Sequence, residues 1–499
     1  MGKKEKIKLS MKPNILLITS DQMRQDAIGC NGNPLIRTPN LDRLANRGIN
    51  FTNAYTPDPI CVPARACITT GLYPHKCTGI KANGGAIKKD CPLLGEELNK
   101  RGYETYAMGK LHYLPYAPPG KERTTYGIKN VELTESGRIL KKYDPCGKLK
   151  GLEDYIDYLN ENNWGGYTKA HGIGNNDIFA AASPIPEEHY VDKWVVDRTL
   201  YHLDQHIKNK KNKPFFMWTS FPKPHSPYDP PHPYDMMYDP RDMPDPAGDV
   251  EILKSKGVDL IHSRHEEYMW GTFSPQAKKV IKAHYYGLIS FQDKQIGRLL
   301  DYIHMNDLDE DTIIIYTADH GDMLGDLGLY FKTCFYSGSV RIPLLLSYPK
   351  RIGPGIISLE LAGLQDILPT LLSLIGEPLE MNVDGMDISS ENNYREYFIG
   401  QCDDGPHQQY MVADRKYKYI YHQYGGVEEL YDIENDPYDL DDQQGSKADK
   451  IRSMMRDILI GWCKDNGDEM MVKNNRLAYT GKGPIKIRKD GEQYGRRFF

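Results

Sequence analysis

Short apolar runs that end in polar residues alternate with helical patterns through most of the chain. The run over 13–21, PNILLITSD, is apolar almost to its end, which is typical of a strand buried on both faces. A Thr-Pro start and a closing Gly48 predict a helix over 38–48. Further strands are predicted over 49–56, 103–110, 214–221 and 311–321, and further helices over 91–102 and 279–303. This alternation predicts an α/β fold, with a mostly parallel central sheet and helices on both of its faces.

The pattern changes after about residue 385. The segments RKYKYIYH (415–422) and EELYDIENDPYDLDD (428–442) predict antiparallel strands and a turn, and 451–464 predicts one amphipathic helix. We therefore expect two units. The first is an N-terminal domain over 1–385, and the second is a smaller C-terminal α+β subdomain over 386–499 with a short antiparallel sheet and a basic, aromatic tail.

Composition narrows the class of protein. The 499 residues are 39% hydrophobic and 26% charged, as in soluble globular proteins. The net charge is −5 and the basic residues are scattered, so we expect no nucleic-acid partner. We expect no membrane partner either, because no apolar run approaches the ~20 residues of a membrane span. Residues 1–14 lack an apolar core and the nine cysteines lack a regular spacing, which predicts a cytoplasmic protein unless an export signal has been removed.

Polar side chains follow two of the most apolar predicted strands. Asp21 and Gln22 come after the first strand, and Asp319 and His320 close the strand over 311–321. Ligands of open α/β sheets bind at the carboxyl ends of the strands. Two carboxylates, an amide oxygen and an imidazole could together hold one divalent cation. Strand-end caps and a packed histidine would explain either pair alone, but the two pairs together favour a metal site.

Four further residues could act on an anion at the same edge of the sheet. Lys110 and His112 alternate at the predicted strand end in MGKLH, where they could hold an oxyanion and deliver a proton. The proline-stiffened loop KPHSPYDPP presents His225, and Lys332 lies downstream of the second acidic pair. Taken alone, Lys110 and His112 would be better explained as an edge lysine and a half-buried histidine, and Lys332 as a solvated lysine. A loop histidine without function explains His225 equally well, so the case depends on their shared location.

The stretch CVPARACITTG places Cys61 and Arg65 beside a predicted helix. A cysteine nucleophile needs a depressed pKa, and a helix that starts near Pro63 would aim its positive end at the site. A thiolate is nevertheless a soft ligand beside a cation that takes oxygen ligands. The sulfur is therefore not expected to be the working atom. The alternative is a small apolar cysteine near a turn and an arginine at the surface.

CVPAR is similar to the C-x-P-x-R signature of type I sulfatases in the alkaline-phosphatase-like superfamily, and TTG matches its extension. The resemblance covers nearly the whole chain, including ELYDIENDPYD near the C-terminus. It implies the alkaline-phosphatase-like fold and a sulfuric ester hydrolase. In that family a maturase oxidises the cysteine to formylglycine, whose hydrated form is the nucleophile. An oxygen then replaces the sulfur beside the metal, which is usually calcium, with magnesium or manganese as alternatives.

The resemblance also implies roles for the residues singled out above. The metal ligands would be Asp21, Gln22, Asp319, His320 and the oxidised Cys61. Arg65 would stabilise the formylglycine, and the residues that grip sulfate or protonate the leaving oxygen would be Lys110, His112, His225 and Lys332. The resemblance does not choose between His112 and His225 as the general acid.

Three residues depart from the commonest family pattern. Ala64 replaces a serine of the signature, which leaves the maturation route open. Gln22 and His320 replace Asp and Asn, as in the related phosphonate monoester hydrolases, but those enzymes typically lack the pair formed here by Lys110 and His112. A sulfate monoester hydrolase is therefore favoured over a phosphonate monoester or phosphodiester hydrolase. A silent anion-binding relative is a third alternative, against which the full set of charged residues argues.

The substrate is indicated only by the insertions. Residues 113–195 are rich in Tyr, Asn and Gly, which favours a bulky polar leaving group and thus a carbohydrate sulfate. Aryl sulfate and choline sulfate are the alternatives. The tail over 481–499 could reach a second subunit of a homo-oligomer or lie on the surface, so the sequence does not determine the oligomeric state.

Overall fold

The computed structural model describes residues 12–79, 81, 83, 85–112, 122–135, 150–210, 213–267, 270–378, 380–390, 392–403, 407–468 and 471–482. Its central sheet has eight strands: β1 Asn14–Asp21, β2 Ile49–Tyr55, β3 Glu104–Gly109, β4 Asn130–Leu133, β5 Phe215–Pro224, β6 Thr312–Ala318, β7 Leu344–Ser347 and β8 Ile356–Gly363. Their order across the sheet is β4-β3-β5-β1-β6-β7-β2-β8. Every neighbouring pair is parallel except that β7 runs antiparallel to β6 and β2. The predicted mostly parallel sheet is confirmed.

Strand β1 lies at the centre because its apolar run is buried on both faces. Ile15, Leu16, Leu17 and Ile18 are completely buried. The register pairs Leu16 with one apolar residue of β5 and one of β6. A strand between two parallel neighbours exposes no backbone edge, which is why a nearly continuous run of aliphatic residues suits this position.

Helices cover both faces of the sheet. Those described are α1 Pro39–Ala45, α2 Cys61–Thr70, α3 Pro74–Cys77, α4 Leu94–Lys100, α5 Asp154–Glu161, α6 Val191–Asn209, α7 Val250–Ser255, α8 Asp259–Glu267, α9 Pro275–Met305, α10 Ser337–Val340, α11 Ile367–Leu374 and α12 Ser446–Asp465. Consecutive strand residues point to opposite faces. Ser20 donates a hydrogen bond to Gln292 of α9 at 2.5 Å. Its neighbour Thr19 bonds Ser220 of β5, which in turn accepts a hydrogen bond from Arg65 of α2.

A second, antiparallel sheet follows in the sequence. Its strands are β9 Phe398–Cys402, β10 Gln409–Ala413, β11 Tyr417–His422 and β12 Val427–Asp432, in the order β12-β11-β10-β9. Helix α12 packs on it, and Tyr419, Leu430 and Leu459 belong to a separate apolar core. A short hairpin, β13 Val472–Lys473 and β14 Arg476–Leu477, comes last. The predicted antiparallel sheet is confirmed, the division at residue 385 stays a prediction, and residues 483–499 of the tail lie outside the described residues.

The length and hydropathy of the helices bear on whether a helix of this chain could cross a membrane. None of the helices that the structure describes combines the length and the apolar character that a bilayer crossing requires.

One buried carboxyl group joins α6 to α9, and it forms no ion pair with any residue that the structure describes. Asp192 is completely buried, and its Oδ2 accepts a hydrogen bond of 3.0 Å from the Gln292 amide. Its Oδ1 has no hydrogen-bond partner among the described residues. Burial raises the pKa of Asp192 to about 7, because the Gln292 hydrogen bond and the charge of Lys223 only partly offset the lost hydration.

This raised pKa predicts a pH-dependent stability. The folded state holds a proton on Asp192 that the unfolded chain releases near pH 4, so the free energy of unfolding falls as the pH rises from about 4 to about 7. Asp192→Asn removes this dependence of the unfolding free energy on pH. Relative to the wild type, we expect the variant to gain on the order of 2 kcal/mol of unfolding free energy between pH 5 and pH 8 in urea titrations. Asp204→Asn, a partly exposed control on the same helix, should gain nothing, and equal gains in both variants would contradict the prediction.

Candidate active site

The carboxyl ends of β1 and β6 bring the two acidic pairs together. The strands are parallel neighbours with Ser20 opposite Ala318, so Asp21 and Asp319 leave the sheet side by side. Both carboxylates, Gln22 and His320 are completely buried. One oxygen of Asp319 accepts hydrogen bonds of 3.0 Å from the backbone N–H groups of Gln22 and His320. Adjacent strand ends therefore place the four residues in one site.

Helix α2 carries Cys61 into this site. The helix begins at Cys61 itself, two residues before the predicted start near Pro63. It ends at Thr70 and is followed by Gly71, whose φ of 71° favours glycine. The Sγ atom of Cys61 lies 3.1 Å from Nε2 of His320. The ligand atoms of Asp21, Cys61, Asp319 and His320 all lie within 4.8 Å of one another. The first turn of α2 thus completes a compact cluster of side chains.

Arg65 lies one turn further along α2 and binds the carboxylates from within the protein. Its guanidinium is completely buried, with Nε 2.9 Å from Asp319 and Nη2 3.4 Å from Asp21. The remaining Nη1 donates to the Lys110 carbonyl at 2.7 Å and to Ser220 at 2.9 Å. The alternative of a surface arginine is therefore wrong, because every donor direction of this side chain points into the protein.

Lys332 reaches the cluster through Gln22. Its Nζ donates to Oε1 of Gln22 at 2.7 Å, and the Gln22 amide nitrogen donates to Asp322 at 2.6 Å. Asp322 also accepts from the hydroxyl of Tyr228 and from the backbone N–H of Phe331. This carboxylate therefore fixes the direction of the Gln22 amide and the course of the loop that carries Lys332.

Lys110 and His112 lie beyond the end of β3 rather than on it. The strand stops at Gly109, whose φ is 103°, and a Cβ there would lie 1.9 Å from the Ser220 carbonyl oxygen. His112 is also in the left-handed region, with φ 56°. The prediction that strand alternation sets their directions is wrong, because the chain turns at Gly109. Lys110 pairs with Asp21.

His225 lies on a loop that the side chain of Lys223 holds by hydrogen bonds. The Nδ1 atom of His225 is 2.9 Å from the Ser226 carbonyl oxygen. The Nζ of Lys223 donates to the carbonyls of His225 and Pro227, at 3.2 and 2.6 Å, and pairs with Asp229. These bonds fix the loop, so His225 is presented on a rigid support.

The charges of the site shift several pKa values. Burial alone would raise the pKa of Asp21, but Lys110, His225 and Arg65 outweigh it and hold that pKa well below its usual range. Burial would likewise raise the pKa of the Cys61 thiol, yet the nearby positive charge, led by Lys332, lowers it to about 7. Residue 61 therefore lies in a field that favours a negative charge.

A cleft beside the cluster could take the rest of a substrate. It opens to solvent, and its walls include Lys110, Glu135, Tyr155, Lys169, Tyr190 and His225. His225 thus faces this space together with Lys110. The lining mixes aromatic rings with hydrogen-bonding and charged groups, as in pockets for polar organic molecules.

Four residues that support this cluster were not predicted from the sequence. They are Glu135, Ser220, Lys223 and Asp322. Lys223 is the first residue of the loop KPHSPYDPP, and Asp322 comes two residues after His320. Their closeness to these predicted site residues was the feature of the sequence that could have identified them. Glu135 and Ser220 had no comparable signal, because only the folded sheet brings them to the site.

Comparison with known proteins decides what kind of site this is. A sequence model of the family described as Sulfatase matches residues 13–377. The chain belongs to the sulfatase family. A second model, described as the C-terminal part of N-sulphoglucosamine sulphohydrolase, matches residues 325–462 of this sulfatase.

Individual relatives agree with the family. The sulfatase is 33% identical over 470 residues to an arylsulfatase of Clostridium perfringens, with 90% of this chain and 94% of the relative covered. It is 26% identical to an N-acetylglucosamine-6-O-sulfatase of Bacteroides thetaiotaomicron, with 89% and 85% covered. Its fold is similar to the crystal structure of a phosphonate monoester hydrolase of Agrobacterium radiobacter, with a TM-score of 0.76, 22% identity, and 91% and 96% covered. The expected sulfuric ester hydrolase with an alkaline-phosphatase-like fold is confirmed.

Sulfatases generally use a metal ion and a formylglycine, and the residues of this cluster fit a cation. The Oδ1 atom of Asp21 is buried and has no hydrogen-bond partner among the described residues. The Nδ1 atom of His320 is 2.9 Å from the Gly321 carbonyl oxygen, an arrangement that leaves the Nε2 lone pair directed at the cluster. The Oδ1 atom of Asp21 and the Nε2 atom of His320 are therefore the atoms that a cation in this cluster would take as ligands.

Metal removal should therefore lower stability. After treatment with EDTA, added Ca²⁺ should raise the thermal midpoint of the sulfatase, since a ligand at ~100 times its Kd stabilises the folded state by about 2.7 kcal/mol. Asp21→Asn should abolish that rise, because it removes a carboxylate from the cluster. The exposed Asp90→Asn variant serves as the control and should keep it. A Ca²⁺ response that persists in Asp21→Asn would contradict the site.

Proposed function

We propose that this sulfatase hydrolyses a carbohydrate sulfate ester, with a formylglycine derived from Cys61 as nucleophile and Ca²⁺ as the metal. The observation that carries the proposal is the position of Cys61. Its side chain lies at the start of α2, among the carboxylates of Asp21 and Asp319 and within the field of Lys332 and Lys110. A sulfate monoester brings one negative charge to the same place.

The proposed metal ligands are oxygen and nitrogen atoms of five residues: Asp21, Gln22, Asp319, His320 and the oxidised residue 61. When bound, the cation supplies positive charge for the sulfuryl oxygens, and the formylglycine supplies the attacking oxygen of its hydrated aldehyde. The hard oxygen ligands favour Ca²⁺, with Mg²⁺ or Mn²⁺ as alternatives. The maturase that oxidises Cys61 and the cytoplasmic location stay predictions from the sequence.

The cationic side chains and the two histidines have different roles in the proposed reaction. Lys110 and Lys332 bind sulfuryl oxygens and spread the negative charge that develops on them. Arg65 holds residue 61 in place from within the protein, since its guanidinium is bonded to Asp319, Ser220 and the backbone. His225 faces the cleft, so it donates the proton to the leaving oxygen, whereas His112 accepts a proton when sulfate is released.

The cleft supports a saccharide as the leaving group. Tyr155 and Tyr190 offer ring surfaces, and Lys169 and Asn175 offer polar groups for hydroxyls or further anionic groups of a sugar. One relative is described as an N-acetylglucosamine-6-O-sulfatase, which agrees with this class. Another is described as an arylsulfatase, so an aryl sulfate is the alternative substrate, as is choline sulfate.

A phosphonate monoester hydrolase is the second candidate. The similarity of fold to such an enzyme and the Asp-Gln and Asp-His pairs favour it. The cluster of Lys110 and His112 favours the sulfatase reaction, because a singly charged ester whose leaving oxygen becomes anionic needs a cation and a proton carrier there.

Relative rates with two substrates test the reaction. On protein whose oxidised residue 61 has been verified by mass spectrometry, kcat/KM should be at least ~10-fold higher for an aryl sulfate than for an aryl phosphonate monoester. Lys332→Ala should lower the sulfate rate on the order of 100- to 1000-fold, as expected for the loss of one preorganised charge. The exposed Lys208→Ala variant should not change it. A higher rate with the phosphonate would favour the second candidate.

Leaving-group dependence separates the two histidines. His225→Gln should lower kcat/KM far more for an alkyl sulfate than for a nitrophenyl sulfate, because a poor leaving group depends on protonation. His112→Gln should lower kcat for the nitrophenyl sulfate, whose cleavage needs no proton. The reverse pattern in aryl and alkyl sulfate assays would exchange the two roles.

A further inference from the structure

We propose that Glu135 is a positioning residue that holds His112 and supports its protonated form during sulfate release. The inference rests on the proposed function, because it assigns Glu135 a role through His112. Glu135 stands two residues beyond β4, at the carboxyl edge of the sheet. Only 3% of its surface is exposed, and it lines the cleft beside Lys110.

The backbone around Glu135 is fixed from two sides. The N–H of Thr134 donates to the Gly109 carbonyl at 3.0 Å, which ties the end of β4 to the turn before Lys110. The hydroxyl of Thr134 and the N–H of Glu135 both donate to the same oxygen of Glu153, at 2.8 Å each. Glu153 is itself buried at the start of α5. The position of the Glu135 backbone relative to the turn before Lys110 is thus set by these bonds.

The carboxylate of Glu135 lies beside the imidazole of His112. Its Oε2 lies 3.7 Å from Nε2 of His112, within the distance of an ion pair. Nε2 is therefore the nitrogen that meets the carboxylate, and Nδ1 is the other nitrogen that can carry a proton. His225 provides a contrast within the same site, because the partner of its Nδ1 is the neutral carbonyl of Ser226.

Other charged groups around the pair have different partners. Lys110 is paired with Asp21. The positive charge of Arg65, on α2, interacts electrostatically with Glu135. On the side of α5, Glu153 accepts the hydrogen bonds from the Thr134 hydroxyl and the Glu135 N–H, and Asp154 pairs with Arg123 at 2.6 Å. Of these groups, Glu135 is the carboxylate that the structure pairs with the His112 ring.

A carboxylate beside an imidazole has two effects on proton transfer. It fixes the orientation of the ring, and its negative charge stabilises the imidazolium that forms when the ring accepts a proton. In the proposed reaction, the free hydroxyl of oxidised residue 61 would lose its proton to His112 while the bond between the carbon of that residue and the sulfate oxygen breaks, which restores the aldehyde. His112 would return the proton to water before the next turnover. Loss of the Glu135 charge should therefore slow sulfate release and leave cleavage of the ester bond nearly unchanged.

The test compares Glu135→Gln, His112→Gln and the double variant, each as full-length protein with the formylglycine content measured. With a nitrophenyl sulfate, both single variants should lower kcat on the order of 10- to 100-fold. Each should also show a rapid burst of about one nitrophenol per active site before the slow steady state. If Glu135 acts through His112, the double variant should be no slower than His112→Gln within ~3-fold. In Glu135→Gln, the acidic limb of the kcat profile should move to lower pH.

Two controls keep the outcome interpretable. Glu188→Gln removes an exposed carboxylate and should match the wild type. Glu135→Asp keeps the charge, so its acidic limb should stay near the wild-type position. If Glu135→Gln does not fold, Glu135→Ala, which also removes the charge, takes its place in the double-variant comparison.

Three results would overturn the proposal. One is a wild-type kcat in Glu135→Gln. Another is a double variant whose loss of kcat equals the product of the two single losses and whose KM is raised, which would show that Glu135 contacts the leaving group itself. The third is normal turnover in His112→Gln, which would also remove the role proposed above for that histidine. The first two results leave that role intact, so failure of this inference can be told apart from failure of the proposed function.

Discussion

The ion pairs between Arg65 and the carboxylates of Asp319 and Asp21 hold the site together. All three side chains are completely buried, so their charges are poorly hydrated and each depends on the others. Loss of one partner from a buried ion pair typically costs about 3–5 kcal/mol, because a charge is left without compensation. The guanidinium also bonds Ser220 and the Lys110 carbonyl. One side chain thus joins α2 to the ends of four elements of the sheet and fixes where Cys61 can lie.

A second set of bonds keeps the flexible parts of the site in position. Asp322 orients the Gln22 amide, and through it Lys332, while Lys223 holds the loop of His225 by its carbonyl oxygens. Long lysine side chains lose considerable rotamer entropy when they are fixed. Supporting hydrogen bonds made before substrate arrives reduce the reorganisation that the reaction requires. The charges that face residue 61 are therefore preorganised, which suits the transfer of a singly charged sulfuryl group.

Much of the fold could be predicted from pattern alone. The strands that became β1, β5 and β6 are apolar runs buried on both faces, and period and length identify such runs. The strands β4, β7 and β8 were not predicted. A strand of only four residues, such as β4 or β7, or one whose first residues are largely exposed, such as β8, has little periodicity of its own. At the site, motif residues such as Asp21 and Cys61 carried a signal in the sequence, whereas Glu135 carried none.

The sequence by itself determined which side chains are the main candidates for the chemistry. Strand ends and the C-x-P-x-R signature mark them locally, and parallel strands must bring their carboxyl ends to one edge. Only the tertiary structure decided how these groups face one another. The turn at Gly109, and not strand alternation, sets the direction of Lys110, and the pairing of β4 with β3 places Glu135 beside His112. Such contacts join residues that are distant in the chain, and they depend on register and burial, which no local pattern encodes.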